Sequence, residues 1–589
     1  RNVSAWPDNP SGHGASVPRY RFQWTAPIHI SPHDPKTVYH GANVLFRTQD
    51  GGQTWAVISP DLTRDDESKQ QWSGGPITGD NTGVETYCTI FVVAESPVEK
   101  GLIWAGSDDG LVHLTRDGGE HWENVTKNIR GIPEWGTVSL IEPSRFDAGT
   151  AYLVVDAHRL DDMQPYLWKT ADYGRTWKRL GAGEGDLPRD VYLHAVREDP
   201  ARRGILYLGT ERGVAMSKDD GATWSGLRLN LPTVAVHDLA VKDNSLVVGT
   251  HGRSAWILDD LSVVRDLASA DGKELHLFAA PDAVRWSWQG GASHTRRAGD
   301  NPPAGALLYY WLKEDPKEKE EVTIEILDAS GRLVRKMSSE PPEPTGASEY
   351  VEDEKEWLKK RALPKKKGVQ RAVWDLTWDG AELIQGGILD WGYPLVGPTA
   401  APGTYTLRLS AGGKTETTAL NLLPDPRSAV SQEAIEEQLR FALQVRDTIT
   451  DLTRTAEQLR NVRRQIAARN DLLEKDSKAA DLIKSSAELL KKVEAIEERL
   501  HNPKAEIAYD VLAMKGGAKL YSRLSPYFDF VKAGEGLPTQ GMQDIFAVFR
   551  KDLDGLKGEW QAIVAGDLAR LDEQAEALDL PEIYVPAGR

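Results

Sequence analysis

The chain has 589 residues, 40% of them apolar, a formal charge of -17 and a single cysteine. The acidic balance argues against nucleic acid as a partner, because phosphate binding needs an excess of Lys and Arg. No apolar run approaches the ~20 residues of a membrane span, and the lone Cys88 excludes an internal disulfide framework, a pattern compatible with a bacterial cell envelope as well as with cytosol.

The sequence opens at Arg1, and no signal-peptide pattern follows. This predicts a processed product or a portion of something longer. From there to about residue 265 one arrangement repeats: an apolar strand, a turn, a strand ending in Gly, a third strand, a Ser/Thr-x-Asp-x-Gly-x-x-Trp motif, and a fourth strand. The motif occurs as Thr48–Trp55, Thr115–Trp122, Thr170–Trp177 and Ser217–Trp224. Its chemistry suits a tight turn. The aspartates Asp50, Asp117, Asp172 and Asp219 can accept hydrogen bonds from their own turns, and Gly supplies the backbone freedom. The indoles of Trp55, Trp122, Trp177 and Trp224 then wedge between neighbouring layers. The four aspartates are therefore expected to hold turns and do no chemistry.

The units run from about Phe22 to Ile58, Thr86 to Val125, Gly136 to Leu180, Val191 to Leu227 and Val234 to Leu258. The fifth lacks the motif and a fourth strand of its own. Radial repetition of such four-stranded sheets makes a β-propeller. The opening residues Arg1–Ser4 read as a stray last strand. Five blades rarely close a ring of this blade size, so residues 1–265 are expected to be about five C-terminal blades of a larger propeller. An N-terminal fragment or a partner chain would complete it.

Residues 266–426 change character. Period-two alternation in Ala306–Leu312, Val322–Asp328 and Tyr405–Leu409 predicts an immunoglobulin-like or fibronectin-like β-sandwich. Asp328–Arg332 is a hairpin turn, Ala401–Thr404 leads into a final strand, and a short helix is expected around Glu352–Leu363. After the Pro424–Arg427 linker, residues 427–589 are helical. Apolar residues at spacings of three and four run through Ile435, Ala442, Ile449, Leu452, Leu459 and Ile466. They recur through Leu482–Leu500 and Ile545–Leu571. This predicts a bundle of three to four antiparallel helices with breaks near Asn470, Asn502 and Gly534. The stripes suit packing within the chain, or a homodimer through this domain.

Ligand sites of propellers gather where the innermost strands converge. Here those strands begin near Trp24, Glu85–Cys88, Trp135, Tyr192–His194 and His237–Asp238. Trp24, Tyr87, Trp135, Tyr192, His194, His237 and Arg253 are therefore the candidate ligand-binding residues. The alternative is that these rings close blade tops and the histidines are hydrogen-bonded in place, with Arg253 paired to Asp259 or Asp260. A glycosidase needs two carboxylates flanking the bond, and Asp80, Glu85 and Asp238 are the candidates outside the repeated motif. There is no Gly-x-Ser-x-Gly, no His-Glu-x-x-His and no metal-ligand spacing, so no cofactor and no metal are expected. Cys88 lies in an apolar strand and reads as buried and inert.

The repeated motif resembles the Asp-box, or BNR repeat, of sialidase-like, sortilin-like and xyloglucanase-like propellers. The order of parts resembles large secreted bacterial proteins labelled sortilin-like (VPS10-type) or glycosyl hydrolase BNR-repeat proteins. Matching stretches include Ile30–Pro35, Trp104–His113, Thr250–Leu261, Ala401–Tyr405 and Leu423–Arg427. The resemblance implies a secreted, periplasmic or cell-surface location and a longer precursor with a signal peptide and further blades. It supplies no catalytic residue. The expectation is a non-enzymatic ligand-binding or assembly protein with a glycan or peptide ligand. The alternatives are a glycoside hydrolase acting at the propeller mouth and a structural subunit of a surface complex.

Overall fold

The computed structural model describes residues 3–181, 187–286, 301–346 and 351–586. It forms two compact units, Arg1–Arg265 and Asp266–Arg589.

The first unit is a series of antiparallel sheets, each hydrogen-bonded in chain order. The first holds β1 (Ile28–Ile30), β2 (Val38–Gly41), β3 (Leu45–Thr48) and β4 (Ala56–Val57). The second holds β5 (Ile90–Glu95), β6 (Ile103–Ser107), β7 (Val112–Thr115) and β8 (Glu123–Asn124). The third holds β9 (Thr137–Pro143), β10 (Ala151–Asp156), β11 (Tyr166–Thr170) and β12 (Lys178–Leu180). The fourth holds β13 (Leu193–Glu198), β14 (Leu206–Thr210), β15 (Gly213–Ser217) and β16 (Ser225–Gly226). The fifth has three strands, β17 (Val236–Lys242), β18 (Ser245–Thr250) and β19 (Ala255–Leu258).

The period of two along each strand divides its side chains between two neighbours. On β10, Leu153 and Val155 join Trp104 and Leu114 of the second sheet, while Tyr152 and Val154 join Leu206 and Leu208 of the fourth. Strands buried on both faces read as continuous apolar runs, and every residue of β6 and of β14 is buried. Such face-to-face stacking of consecutive sheets is propeller-type packing. Tyr207 and Met216 meet Leu246 and Val248 of the fifth sheet. The other face of that sheet exposes Ala240, Ala255 and Ile257, the last by 59%.

The first sheet ends differently. Its outer face, Ala42, Val44 and Phe46, is capped by Ala5, Tyr20 and Phe22 from the segment preceding it. The expected opening strand is absent: Val3 and Ser4 form none, and the Val3 carbonyl instead accepts from Trp55 Nε1 at 3.0 Å. Arg1 and Asn2 lie outside the described residues.

The four repeated turns share one hydrogen-bond pattern. In the third, Asp172 Oδ1 accepts from Thr176 N at 2.9 Å and Oδ2 from Thr176 Oγ1 at 2.7 Å, while Gly174 N donates to Thr170 Oγ1 at 3.0 Å. Asp50, Asp117 and Asp219 repeat it with Thr54, His121 and Thr223. The motif glycines have φ of 81°, 104°, 76° and 81° at Gly52, Gly119, Gly174 and Gly221. They also abut what precedes them: a Cβ at Gly119 would stand 2.5 Å from Ile58 O, and one at Gly221 2.6 Å from Leu180 Cδ1. The turn is thus a clasp onto the preceding sheet. Trp122 Nε1 completes it by donating to Ile58 O at 2.9 Å. Trp177 lies edge-on to Trp104 at 5.9 Å, and Trp224 is buried with Tyr152 and Leu180.

A short helix, α1 (Ser262–Asp266), follows. In the second unit two sheets share one core. One is three-stranded: β20 (Leu275–Leu277), β22 (Ala306–Leu312), β25 (Gly368–Trp374). The other runs β21 (Ala283–Arg285), β29 (Lys414–Pro424), β28 (Gly403–Ala411), β23 (Thr323–Leu327), β24 (Leu333–Ser338). A ribbon of β26 (Thr377–Asp379) and β27 (Val396–Thr399) accompanies them. Tyr310, Trp374, Ile324 and Leu407 lie at the centre. The strand entered at Ala401–Thr404 is not the last. It turns back into β29, eleven residues long and largely exposed, whose polar sequence hid it. The expected short helix is α2 (Val351–Lys360).

The helical part contains α3 (Gln432–Leu473), α4 (Ala480–Leu500), α5 (Leu520–Lys532), α6 (Gln540–Ile563) and α7 (Ala569–Glu576). Helix α3 runs straight through Asn470, some 60 Å at 1.5 Å per residue. The apolar stripes are buried within the chain: Ile449, Leu452, Leu459, Leu489, Leu556 and Leu571 lie in one core. No described helix is long and apolar enough to cross a membrane.

Candidate functional site

The first strands of all five sheets line one cavity of about 940 Å³. They are its innermost strands, and their sequences decide what faces it. Residue pairing slips by one in four of them, between Ile90 and Val92, between Val138 and Leu140, between Leu193 and Ala195, and between Val236 and Asp238. Each slip is a β-bulge that leaves one residue without a partner and re-aims its side chain. The bulged residues are Phe91, Ser139, His194 and His237, and all four line the cavity.

Three residues beyond the bulge, the third and fourth sheets place Glu142 and Arg197. The Arg197 guanidinium bonds Glu142 Oε2 and Asp238 Oδ1, each at 2.9 Å, and its Nε donates to Leu239 O at 2.6 Å. Burial opposes the charge on Arg197, but the two carboxylates outweigh it and hold its pKa above the ordinary value. For Glu142 burial wins over Arg197, and its carboxyl is pushed up. Every other carboxylate lining the cavity is also engaged through at least one oxygen, although Glu95 Oε2 is buried without a hydrogen-bond partner among the described residues. Asp156 bonds His158 Nδ1 at 2.7 Å, Glu95 accepts from Gly101 N at 2.9 Å, and Glu85 accepts from Thr82 N at 2.6 Å. Burial lowers the pKa of His29, whose Nε2 accepts from Glu95 N at 3.1 Å.

The candidates from sequence fall in several places. Trp24 and Glu85 lie together on the cavity wall, joined by Trp24 Nε1 donating to Glu85 Oε1 at 3.2 Å, and Trp24 is 72% exposed. Asp80 does not line the cavity; its loop is closed by Asp80 N donating to Ser73 O at 3.0 Å. Asp238 faces the cavity but is paired with Arg197. The three carboxylates proposed for a glycosidase therefore form no free pair. Tyr87 and Trp135 stack on each other, 6.5 Å between centroids, outside the cavity lining. Trp135 lies under Arg64 and Lys69, at 4.3 and 4.6 Å, as cation–π contacts. Arg253 is exposed; among the described residues its guanidinium makes no ion pair, and Asp260 instead receives Asn244 and Ser262. Cys88 is fully buried and its thiol is pushed up to about 12, chiefly by burial.

Tyr192, His194 and His237 do converge, and they meet residues that sequence reading missed. His194 Nε2 lies 3.0 Å from Glu211 Oε2. The rings of His194 and His237 are 4.3 Å apart, those of His237 and His251 4.7 Å, and Tyr192 stacks on His158 at 4.5 Å. Burial, then the neighbouring His194 and His251, lowers the His237 pKa. Burial works to raise the Glu211 carboxyl, but hydrogen bonds from His194 and Tyr192 bring it below its ordinary value. Burial and Glu211 push Tyr192 up to about 12. Two groups of described side chains have metal-ligand proximity: His194, Glu211 and His237, and Asp117, Glu120 and His121.

No protein-family model matches the chain, and no curated protein matches it significantly. Among solved structures it is similar to the GH74 xyloglucanase from Xanthomonas campestris, at 14% identity and a TM-score of 0.31 over 66% of this chain. The chain spans 63% of the length of that enzyme. It is similar also to the GH74 enzyme from Niastella koreensis, at 12% identity and a TM-score of 0.28, covering 70% of this chain and 55% of that one. YCF48 from Cyanidioschyzon merolae matches at 14% identity and a TM-score of 0.24, over 47% of this chain and 93% of that one. These neighbours are β-propeller folds. Similarity this low shows the fold and assigns no chemistry.

Proposed function

We propose that the first unit is a non-catalytic ligand-binding scaffold whose central cavity receives a polar, extended ligand, a glycan or a peptide segment. The observation that carries this reading is the state of the cavity carboxylates. A glycosidase needs one carboxyl free to give a proton and a second free to attack or to activate water. Glu142 and Asp238 are both held by Arg197, Asp156 by His158, Glu95 by Gly101 N, and Glu85 by Thr82 and Trp24. The exposed Trp24 ring at the cavity wall suits stacking on a sugar or a side chain. The test is a glycan and peptide array probed with the whole chain, paired with a hydrolysis screen. Binding that falls about tenfold in Trp24→Ala, without turnover, supports the reading. Turnover abolished by Glu142→Gln or Asp238→Asn would replace it with the glycoside hydrolase.

The repeated turns and the stacking of sheets support membership of the Asp-box class and, with the resemblance to sortilin-like secreted proteins, an extracytoplasmic location. The two sheets of the second unit support an immunoglobulin-like sandwich. A further part of the proposal is that more blades extend the arc. The exposed face of the fifth sheet, with Ala240, Ala255 and Ile257, presents the side on which each preceding sheet receives its successor. Native mass spectrometry of the protein from its source should find this chain with a further propeller segment, as a fragment or as a separate subunit. A chain found alone would remove this part.

A further inference from the structure

Each bulge in the innermost strands presents one side chain to the cavity. In the second and third sheets it is Phe91 and Ser139; in the fourth and fifth it is His194 and His237, on adjacent strands. Glu211, in the turn between β14 and β15, closes on the same point, and the donor atoms of these three residues all lie within 4.8 Å of one another. We propose that His194, His237 and Glu211 form a binding site for a first-row transition dication of the zinc type, with one coordination position facing the cavity.

The donor set selects the metal. Two imidazoles and one carboxylate suit Zn, Ni or Cu, whereas Mg and Ca take oxygen ligands. Three protein ligands with one open position is the arrangement of catalytic and exchangeable zinc sites rather than of closed structural ones. Ligand atoms about 2.1 Å from a tetrahedral centre lie roughly 3.4 Å apart, so the three groups need a contraction of order 1 Å. On binding, the contact between His194 and Glu211 gives way to two bonds to the ion. An outer layer holds the ligands in place: the Tyr192 hydroxyl bonds Glu211, Tyr192 stacks on His158, and Asp156 fixes His158 at 2.7 Å. The His251 ring lies 4.7 Å from that of His237 and is not one of the three grouped ligands. The second group of suitable residues is different in kind. Asp117, Glu120 and His121 are all exposed, and Asp117 already accepts from His121 N and binds His121 Nδ1 within its own turn. It serves as the internal control. The site is independent of the ligand-binding reading above, because it rests on side chains that meet whatever else enters the cavity.

The test uses the whole chain stripped with chelator, then titrated with ZnCl₂, and with CoCl₂ followed by visible absorption. The expected result is one ion per chain at micromolar concentration, with the intense d–d bands of four- or five-coordinate cobalt. His194→Ala and His237→Ala should each weaken binding by roughly 100-fold, since even outer-layer losses cost 10–100-fold. Glu211→Gln should weaken it by about tenfold or more, and His121→Ala should leave it unchanged. Thermal melting in chelator identifies variants that fold normally; should His194→Ala fail, the exposed His237 and the Glu211→Gln variant carry the test. Absence of stoichiometric uptake overturns the proposal. So does uptake that survives the His194→Ala/His237→Ala double variant, and uptake that follows His121.

Discussion

Asp172 gives both carboxylate oxygens to its own turn, one to Thr176 N and one to Thr176 Oγ1. Asp172→Ala should therefore cost about 0.5–1.5 kcal/mol with no effect on ligand binding, read by denaturant unfolding. The same bonds have a pH signature. Hydrogen bonds, first from Thr54 N, hold Asp50 down at about 2 against an ordinary 3.8. The contribution of such a turn is present above the ordinary value and is lost as pH falls through about 2. Asp108 has the opposite sign. It accepts from Thr89 N at 2.8 Å and Thr89 Oγ1 at 2.7 Å, yet burial pushes its carboxyl up to about 7. Its contribution is full below the ordinary value and is lost as pH rises through about 7. Asp108→Asn should thus raise the melting temperature relative to wild type more at pH 8 than at pH 5; an equal change at both would contradict the assignment. Arg197 tests the engaged carboxylates. Arg197→Met leaves Glu142 without its cation and should cost toward the lower end of roughly 3–5 kcal/mol, and Glu142→Gln added to it should recover part of that loss.

Among the elements, the repeated turn is legible because Asp, Gly and Trp serve one geometry at fixed spacing. What sequence leaves out is its second task, the close approach of the glycine to the sheet before it. Gly119→Ala must adopt a φ near 104° and place a Cβ 2.5 Å from Ile58 O. It should destabilise by more than the ~1 kcal/mol typical of glycine replacement alone, measured by urea unfolding; a neutral variant would mean the clasp is loose. Strands buried on both faces were readable as apolar runs, and helices α3, α4 and α6 as stripes. Strand β29 was not, because its exposed residues are polar and its few buried ones, Leu420 and Leu422, come late. The break expected near Asn470 falls a few residues later, α3 ending at Leu473 and α4 beginning at Ala480, because a single residue of modest helix propensity does not stop a helix whose neighbours pack.

At the scale of the molecule, the site was only partly legible for a topological reason. His194 and His237 could be placed at strand starts, but Glu211 and His251 come from turns that only the sheet order brings beside them. Glu142 and Arg197 escaped notice because their equivalence depends on counting from a bulge, and a bulge shows only in the pairing. Asp238, a candidate carboxylate from sequence, is bound to Arg197. A cavity lined by engaged carboxylates is expected to bind without cleaving. This is tested most directly by incubating the whole chain with an array-positive glycan or peptide and following the ligand's intact mass. The expected result is a ligand retained by the wild type, about tenfold more weakly by Trp24→Ala, and unchanged in mass throughout. Cleavage that disappears in Glu142→Gln or Asp238→Asn would contradict it.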